Sequence, residues 1–590
     1  MNITPNKLNI AQLFSANNEQ FIVPAYQRRY AWGVNQTKAL FDDIKMLKDS
    51  DGHLFGMIIL HTSNIHKAGL YKPELVDGQQ RLTSMTILLK ALQTRFKELK
   101  NKERVNQIEA MLNCSGYDNQ KKPKMILGNL DNEDYISIMK GASKYTYINQ
   151  NIISSYDNFL AWAKELEDDE LNKFYFTLTN IAVIIRLDVL SANDAYKLFE
   201  TINNRGLRLS PTDIIKNFLL GHASKIGIDN LVEVKVLWSN IIKNLDGLNS
   251  DDFFRQYLCS LLQRKISMSK LVYEFKRYYF KQILKTELLG EFKYYVDDLV
   301  SESEEEEVDV DDVEDKNIKK ISNIEFLHQI IILSKTYNQI NYETFSNSKL
   351  NRRINNLNRI LSMPTYIFLM HFMQSKHTDS VKISVLKLLE TFMLRRHICE
   401  MRTNEHDDIF AKILQYNTSD DIVNEVKEYL QNYLPNDDDF KVRFPKHNFK
   451  GRLINRAKYI LEQIEYFERG NTNELIVSSQ SEVELEHIIP QNITSKRSKE
   501  EFGNWSEYLG KQSNAKHKIY IDLIGNMTLL GDKLNITASN NPFHRKKKSY
   551  EKSSFKITEK IADRYNEFKF PQVEERGNEL AELAIKIWTY

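Results

Sequence analysis

The stretch LVDGQQRLTSM, Leu75 to Met85, limits the local fold more than any other segment of this chain. ELVDG (74–78) reads as a short strand that ends in an acid and a glycine. RLTSMTILLKALQTRFKEL (81–99) then carries apolar residues at helical spacing. The chain is therefore predicted to pass from strand to helix through Gly78. A glycine lets backbone approach a ligand closely, and the first turn of a helix has unpartnered N–H groups that favour anions. Gln79, Gln80 and Arg81 add donors on the same side, so the corner is suited to phosphates. A P-loop is excluded as the means of holding them. No G-x-x-x-x-G-K-[ST] occurs, and Gly510-Lys511 is followed by Gln512.

Around this corner the sequence divides into three zones, and 590 residues are too many for one ordinary core. The first, residues 1–221, mixes helices with strand-like runs, FGMIILHT (55–62) and NIAVIIRLDVL (180–190). Ser191 and Asp194 open one helix. Ser210-Pro211-Thr212-Asp213 opens another, with Pro211 where a missing N–H costs least. NNRGLRL (203–209) between them is a second candidate ligand contact. The second zone, 222–440, is helical, and its aromatics fall at core spacing. Within it, residues 297–315 hold twelve acids and no base, the composition of a solvated loop or linker. The third zone, 441–590, mixes short strands with helices and carries the basic clusters KVRFPKHNFKGR and HRKKKSYEK. The fold class expected is α+β, multidomain.

Bulk properties exclude several functions. A net charge of +2 gives no general electrostatic attraction to nucleic acid, so any basic surface is local. Cys114, Cys259 and Cys399 form no C-x-x-C pair, which argues against a zinc knuckle or disulfide frame and for a reducing compartment. No run approaches the roughly 18 apolar residues of a membrane span, and the N-terminus lacks a secretory pattern. A cytoplasmic protein with no membrane partner is expected.

The strongest chemical signal lies late, in ELEHIIPQ (484–491) and IGNMTLLGDKLNITASNNPFHRKKKSY (524–550). Cutting a phosphodiester needs an activated water, a cation on the phosphate and a correctly aimed base. His487 is suited to taking a proton near neutral pH. Asn526 has a carbonyl able to fix its tautomer, and Asn535 follows nine residues later. Lys546, Lys547 and Lys548 are candidates for neighbouring DNA phosphates. Residue types alone equally allow a satisfied strand-end histidine and a solvated lysine face.

The order of these residues narrows the choice. E-H-x-x-P, G-N-x-T-L-L, N and N-x-x-F-x-x-K resemble the HNH (His-Me finger) nuclease motif, in the version found at the C-terminus of GmrSD-type modification-dependent restriction endonucleases. The resemblance implies a ββα-metal domain using Mg2+ or Mn2+. In it His487 is the general base, Asn526 its orienting partner, and Glu486 and Asn535 are metal ligands. Many HNH proteins have Asp where Glu486 stands and add C-x-x-C pairs absent here. VPAYQRRYAW (23–32), VDGQQRLTSM (76–85) and LFETINNRGLRLS (198–210) resemble the signature stretches of the ParB-like, sulfiredoxin-related domain that opens the same proteins. FMLRRHICEMRTNEHDDIF (392–410) resembles a stretch of their helical region. This implies binding and hydrolysis of a nucleoside triphosphate by Gln27, Arg28, Asp77, Gly78, Gln79, Gln80, Arg81, Asn203, Arg205 and Gly206.

The function expected is an NTP-regulated, metal-dependent DNA endonuclease of anti-phage defence, cutting DNA with modified bases (Type IV restriction). Two alternatives stay open: an NTP-dependent DNA-binding regulator with an inactive nuclease fold, and an RNA-cleaving defence effector. Double-strand cutting by a one-metal site calls for two copies or two sequential nicks, so a homodimer is one expected arrangement.

Overall fold

A computed structural model of the chain describes residues 3–47, 54–62, 69–128, 131–141, 147–192, 194–196, 198, 210–288, 320–470, 483–494 and 504–590. Asn203, Arg205, Gly206 and the acidic run 297–315 lie outside the described residues. The chain forms two compact units, Met1–Arg255 with Ser267–Lys335, and Gln256–Ile266 with Thr336–Tyr590.

The first unit is built on a mixed six-stranded sheet. Its strands are β1 (Ile3–Asn9), β2 (Phe21–Ile22), β3 (Leu54–His61), β4 (Glu74–Asp77), β5 (Met125–Ile126) and β6 (Val183–Val189), in the order β1-β6-β3-β4-β2-β5. Strand β3 pairs parallel to β6 and antiparallel to β4. Ile58, Ile59 and Leu60 on β3 are all fully buried, as a central strand covered on both faces requires. The strand-to-helix corner forms as read: α1 (Gln79–Glu98) begins directly after Gly78. It buries Leu82, Met85, Leu88, Leu89, Leu92 and Phe96, the face its periodicity marks out. Helix α2 (Pro211–Ile226) starts at the predicted cap, where the Ser210 hydroxyl accepts the Asp213 N–H at 3.2 Å. Aromatics of the helical stretch pack in the interior. Trp238 stacks on Phe254 at 5.6 Å, and Phe218 meets Tyr279 edge to face at 5.3 Å.

The second unit is largely helical. On α3 (Asp379–Ile398), Arg395 and Arg396 are each 1% exposed. Arg396 donates to the carbonyls of Tyr433 and Arg402 and to Glu405; Arg395 donates to the Trp588 carbonyl and pairs with Asp437. These arginines therefore tie the core together. Farther on, β7 (Val483–His487) pairs antiparallel with β8 (Met527–Gly531), placing His487 opposite Met527. Between the strands come α4 (Trp505–Leu509) and α5 (Ser513–Tyr520). After them come α6 (Asp532–Ala538), α7 (Phe543–Tyr550) and α8 (Phe570–Ile587). Helix α6 packs on both strands, giving a β-β-α arrangement. The whole is an α+β chain, predominantly helical. All three cysteines are buried and none is in a disulfide. Among the described residues no helix is long and apolar enough to cross a membrane.

Candidate functional site

In the first unit the corner depends on Gly78. Its φ of +92° lies in the left-handed region, and a Cβ there would sit 2.6 Å from Ile58 Cγ2. Only glycine meets both conditions. Gln27, Arg28, Gln79 and Gln80 line one cavity of about 200 Å³, together with Thr83 and Asp131. Arg28 also borders a second cavity of about 510 Å³, which includes Tyr26, Asp213 and Lys216.

The two glutamines differ in duty. Gln80 accepts the Ala31 N–H at 2.8 Å and donates to the Arg29 carbonyl at 3.0 Å, so its amide is spent holding the backbone of residues 29–31. The Gln79 side chain makes no hydrogen bond among the described residues and lines the cavity. Gln27 donates to the Val76 carbonyl at 2.9 Å and accepts from Lys216 Nζ at 2.6 Å. Arg81 reaches back to Asp77 at 3.6 Å and to the Phe55 carbonyl. Burial pushes the Asp77 carboxyl up, against the pull of Arg81.

Lys216 and Asp213 are functional candidates that sequence reading passed over. Lys216 is 2% exposed, lies 3.4 Å from Asp213 and is bound to Gln27. Burial pushes the Lys216 ammonium down, although Asp213 opposes the shift. Asp213 was legible only as a capping residue; it also lies 3.7 Å from Arg28. The available signal was a lysine set among Ile214, Ile215 and Phe218.

In the second unit His487 ends β7. Its Nε2 is buried without a hydrogen-bond partner, and Asp522 Oδ1 lies 3.9 Å away. Burial pushes the imidazole down to about 4, with Lys546 and His517 adding to the effect. Asn526 is fully buried. Its carboxamide accepts the Ile489 N–H at 2.8 Å and donates to the carbonyls of Ile489 and Ile521 at 3.1 and 3.0 Å. It makes no hydrogen bond to the imidazole. Instead it fastens the turn after His487 and so fixes the ring through the backbone. His517 strengthens the same turn through the Pro490 carbonyl at 2.8 Å. Arg576 of α8 braces the other side, donating to the carbonyls of Gly525 and Met527 at 3.0 and 2.7 Å.

Glu486 points away from the ring. Its Oε1 accepts from Lys546 Nζ at 2.6 Å and from the Tyr550 hydroxyl at 2.9 Å. Lys546 is 1% exposed and also donates to the His487 carbonyl at 2.7 Å. Lys546 is thus corrected from a DNA-phosphate contact to a buried structural cation, because no phosphate can reach it. Lys547 is half-buried and donates to the Tyr565 carbonyl at 3.2 Å, whereas Lys548 is exposed. Asn535 is half-buried on α6 with its carboxamide unspent among the described residues.

Among the described residues no group of three or more His, Cys, Asp or Glu side chains could hold a metal. The residues around His487 nevertheless fit a hydrated divalent ion, which is held by one or two oxygen ligands and completed by substrate phosphate. The Asp522 carboxylate, 3.9 Å from His487 Nε2, is such an oxygen ligand, and the unpartnered nitrogen is left for the proton. Asp522, not singled out by sequence reading, supplies the carboxylate.

Two family models match the chain. The GmrSD restriction endonuclease N-terminal domain covers residues 10–220, and the GmrSD restriction endonucleases C-terminal domain covers residues 434–583. A search of curated proteins returned no match. The first match contains the Gly78 corner and Lys216, and the second contains His487, Asn526 and the β-β-α arrangement. The chain belongs to the GmrSD restriction endonucleases, a family whose substrate is DNA.

Proposed function

We propose that the chain is a metal-dependent endonuclease of the HNH (His-Me finger) type. It cuts DNA bearing modified bases in cytoplasmic anti-phage defence, under control of a nucleoside triphosphate held by a ParB-like first domain. The observation that carries this reading is the unpartnered, buried Nε2 of His487 at the end of β7, beside Asp522 and braced through Asn526. His397 Nδ1 and both ring nitrogens of His447 are also buried without a hydrogen-bond partner, so the orphaned nitrogen counts only together with the place of His487 at the end of the β-β-α hairpin beside Asp522.

His487 is neutral at physiological pH, so its ring nitrogen starts without a proton, although burial makes it a weaker base than a free imidazole. An anionic phosphate beside the ring raises its basicity by favouring the charged form. Asp522 and Asn535 are the residues that would hold a divalent ion, which neutralises charge on the phosphate and leaving oxygen. Asn526 and Arg576 keep the strand end rigid, so the base does not have to be reoriented during the reaction.

At the other end of the chain, the free first-turn N–H groups of α1, the Gln79 amide and Arg28 suit phosphates. A triphosphate can shift the enzyme between states only by as much as it prefers one of them. Gln79, Arg28 and the Lys216–Asp213 pair are where that preference arises.

The test incubates unmodified, methylated, hydroxymethylated and glucosylated DNA with the full chain and Mg2+ or Mn2+, with and without each triphosphate. Cutting that favours a modified DNA and disappears in His487→Ala, while nucleotide hydrolysis persists, supports the reading. Equal cutting of all four DNAs removes modification dependence. Undiminished cutting by His487→Ala removes the assigned base.

A further inference from the structure

The second unit carries a cavity of about 340 Å³ that the His487 site does not use. Trp505, Tyr508, Pro542 and Phe543 supply its apolar surface; Asn504, His544, Asn566 and Glu567 are its polar members. The rings are held in place. Trp505 and Tyr508 meet edge to face at 5.4 Å, and Phe543 packs on Phe568 at 5.5 Å. Trp505 Nε1 donates to the Asn540 carbonyl at 2.9 Å, and the Tyr508 hydroxyl accepts the Phe568 N–H at 2.9 Å.

Two further features connect this cavity to DNA. Phe543 opens α7, and one turn later on the same helix Lys546 is bonded to Glu486 and to the His487 carbonyl. The cavity is therefore positioned relative to the proposed base by a single helix. On the outer side of α7, His544, Arg545 and Lys548 are exposed, and Lys569 lies 5.0 Å over the Tyr508 ring. Cations of this kind beside an aromatic cavity complement a strand that presents phosphates and π faces together.

We propose that this cavity receives one unstacked nucleobase of the bound DNA strand, whose phosphates run along the exposed cations of α7. The inference rests on the DNA-nuclease reading and deepens it by locating base recognition in the cutting unit. A base offers a flat π face and an edge of donors and acceptors. Rigid rings match the face; Asn504 caps α4 through Glu507 and Glu567 pairs with Lys569 at 2.9 Å, so the Asn566 amide is the group left to meet the edge. The volume is on the small-ligand scale of roughly 300 Å³ and above, which leaves room for a base carrying a substituent.

The experiment measures equilibrium binding of the full chain, without divalent ion, to matched duplexes and to duplexes holding one mismatched pair. Extruding a mismatched base costs less, so the wild-type protein is expected to bind the mismatch more tightly, on the order of tenfold. Loss of one stacking ring removes an advantage of about that size. Tyr508→Leu and Asn566→Ala should therefore abolish most of the advantage, and Tyr508→Phe should retain it. Asn566 is exposed, so its variant tests the cavity even where Tyr508→Leu fails to fold. Arg545→Ala with Lys548→Ala should weaken matched and mismatched duplexes alike. Equal wild-type binding of the two duplexes, or a preference that survives both Tyr508→Leu and Asn566→Ala, overturns the proposal. A protein that cuts DNA with Mn2+ yet shows no mismatch preference refutes the base site alone. One that neither binds nor cuts DNA refutes the nuclease reading beneath it.

Discussion

Replacing Lys546 separates a structural cation from a DNA contact. Its ammonium is 1% exposed and held by the Glu486 carboxylate at 2.6 Å and the His487 carbonyl at 2.7 Å. In Lys546→Ala the Glu486 charge stays buried with only the Tyr550 hydroxyl as partner. Breaking a buried pair from one side costs about 3–5 kcal/mol, because the remaining charge is uncompensated. For a unit of this size each kcal/mol lowers the melting temperature by about 2–4 °C, so a drop on the order of 10 °C is expected. The double variant Lys546→Met, Glu486→Gln removes both charges and leaves a neutral carboxamide to accept from the Tyr550 hydroxyl. It should recover more than half of the loss. Calorimetry of the full chain resolves the transition of the second unit, since a multidomain chain need not melt as one. Hydrogen exchange at residues 483–487 and 543–550 localises the effect. An unchanged melting temperature, together with weaker DNA binding and a salt dependence shallower by about one phosphate contact, would refute the buried-pair argument.

Three other outcomes follow from the corner of the first unit, and a fourth from its buried histidine. Gln80→Ala leaves the Ala31 N–H and Arg29 carbonyl without their partner and should cost about 1–3 kcal/mol in urea unfolding. Gln79→Ala should cost less stability than Gln80→Ala, since its side chain has no hydrogen bond to lose, and should weaken triphosphate binding in titration calorimetry. Gly78→Ala should cost about 2 kcal/mol or more, since a left-handed φ is unfavourable for alanine and its Cβ meets Ile58. His222 is pushed down by burial to about 4 from an ordinary 6.5, its ring set between the Tyr279 hydroxyl and the Glu287 carbonyl. The unfolded chain therefore binds more protons between those values. A contribution of about 3 kcal/mol is intact above pH 6.5 and lost as the pH falls toward 4. Denaturation midpoints of wild type and His222→Gln across that range should converge at low pH; parallel curves would refute the assignment.

What could be read in advance was local chemistry. The Gly78 corner was legible because a strand, a glycine and a helical repeat are consecutive, and the backbone of α1 follows from them. The cap at Ser210 was legible for the same reason, whereas the β-β-α order around His487 was expected from the resemblance to the HNH motif. Pairings over long separations were not. Lys216 meets Gln27 across 189 residues, and Lys546 meets Glu486 across 60, so neither partner is marked in its own neighbourhood. The helix that holds Lys546 nevertheless contained a clue. Phe543, Lys546 and Tyr550 fall at i, i+3 and i+7, which puts the lysine on the apolar stripe and takes it off the basic face of HRKKK. A cation on such a stripe needs an acid from another element, since an unpaired buried charge is unfavourable. Glu486 is that acid, and committing its Oε1 to Lys546 and Tyr550 leaves Asp522 as the carboxylate facing His487. The phase of one short helix thus decides which carboxylate faces the imidazole, and helical periodicity applied to the lysines themselves would have revealed it.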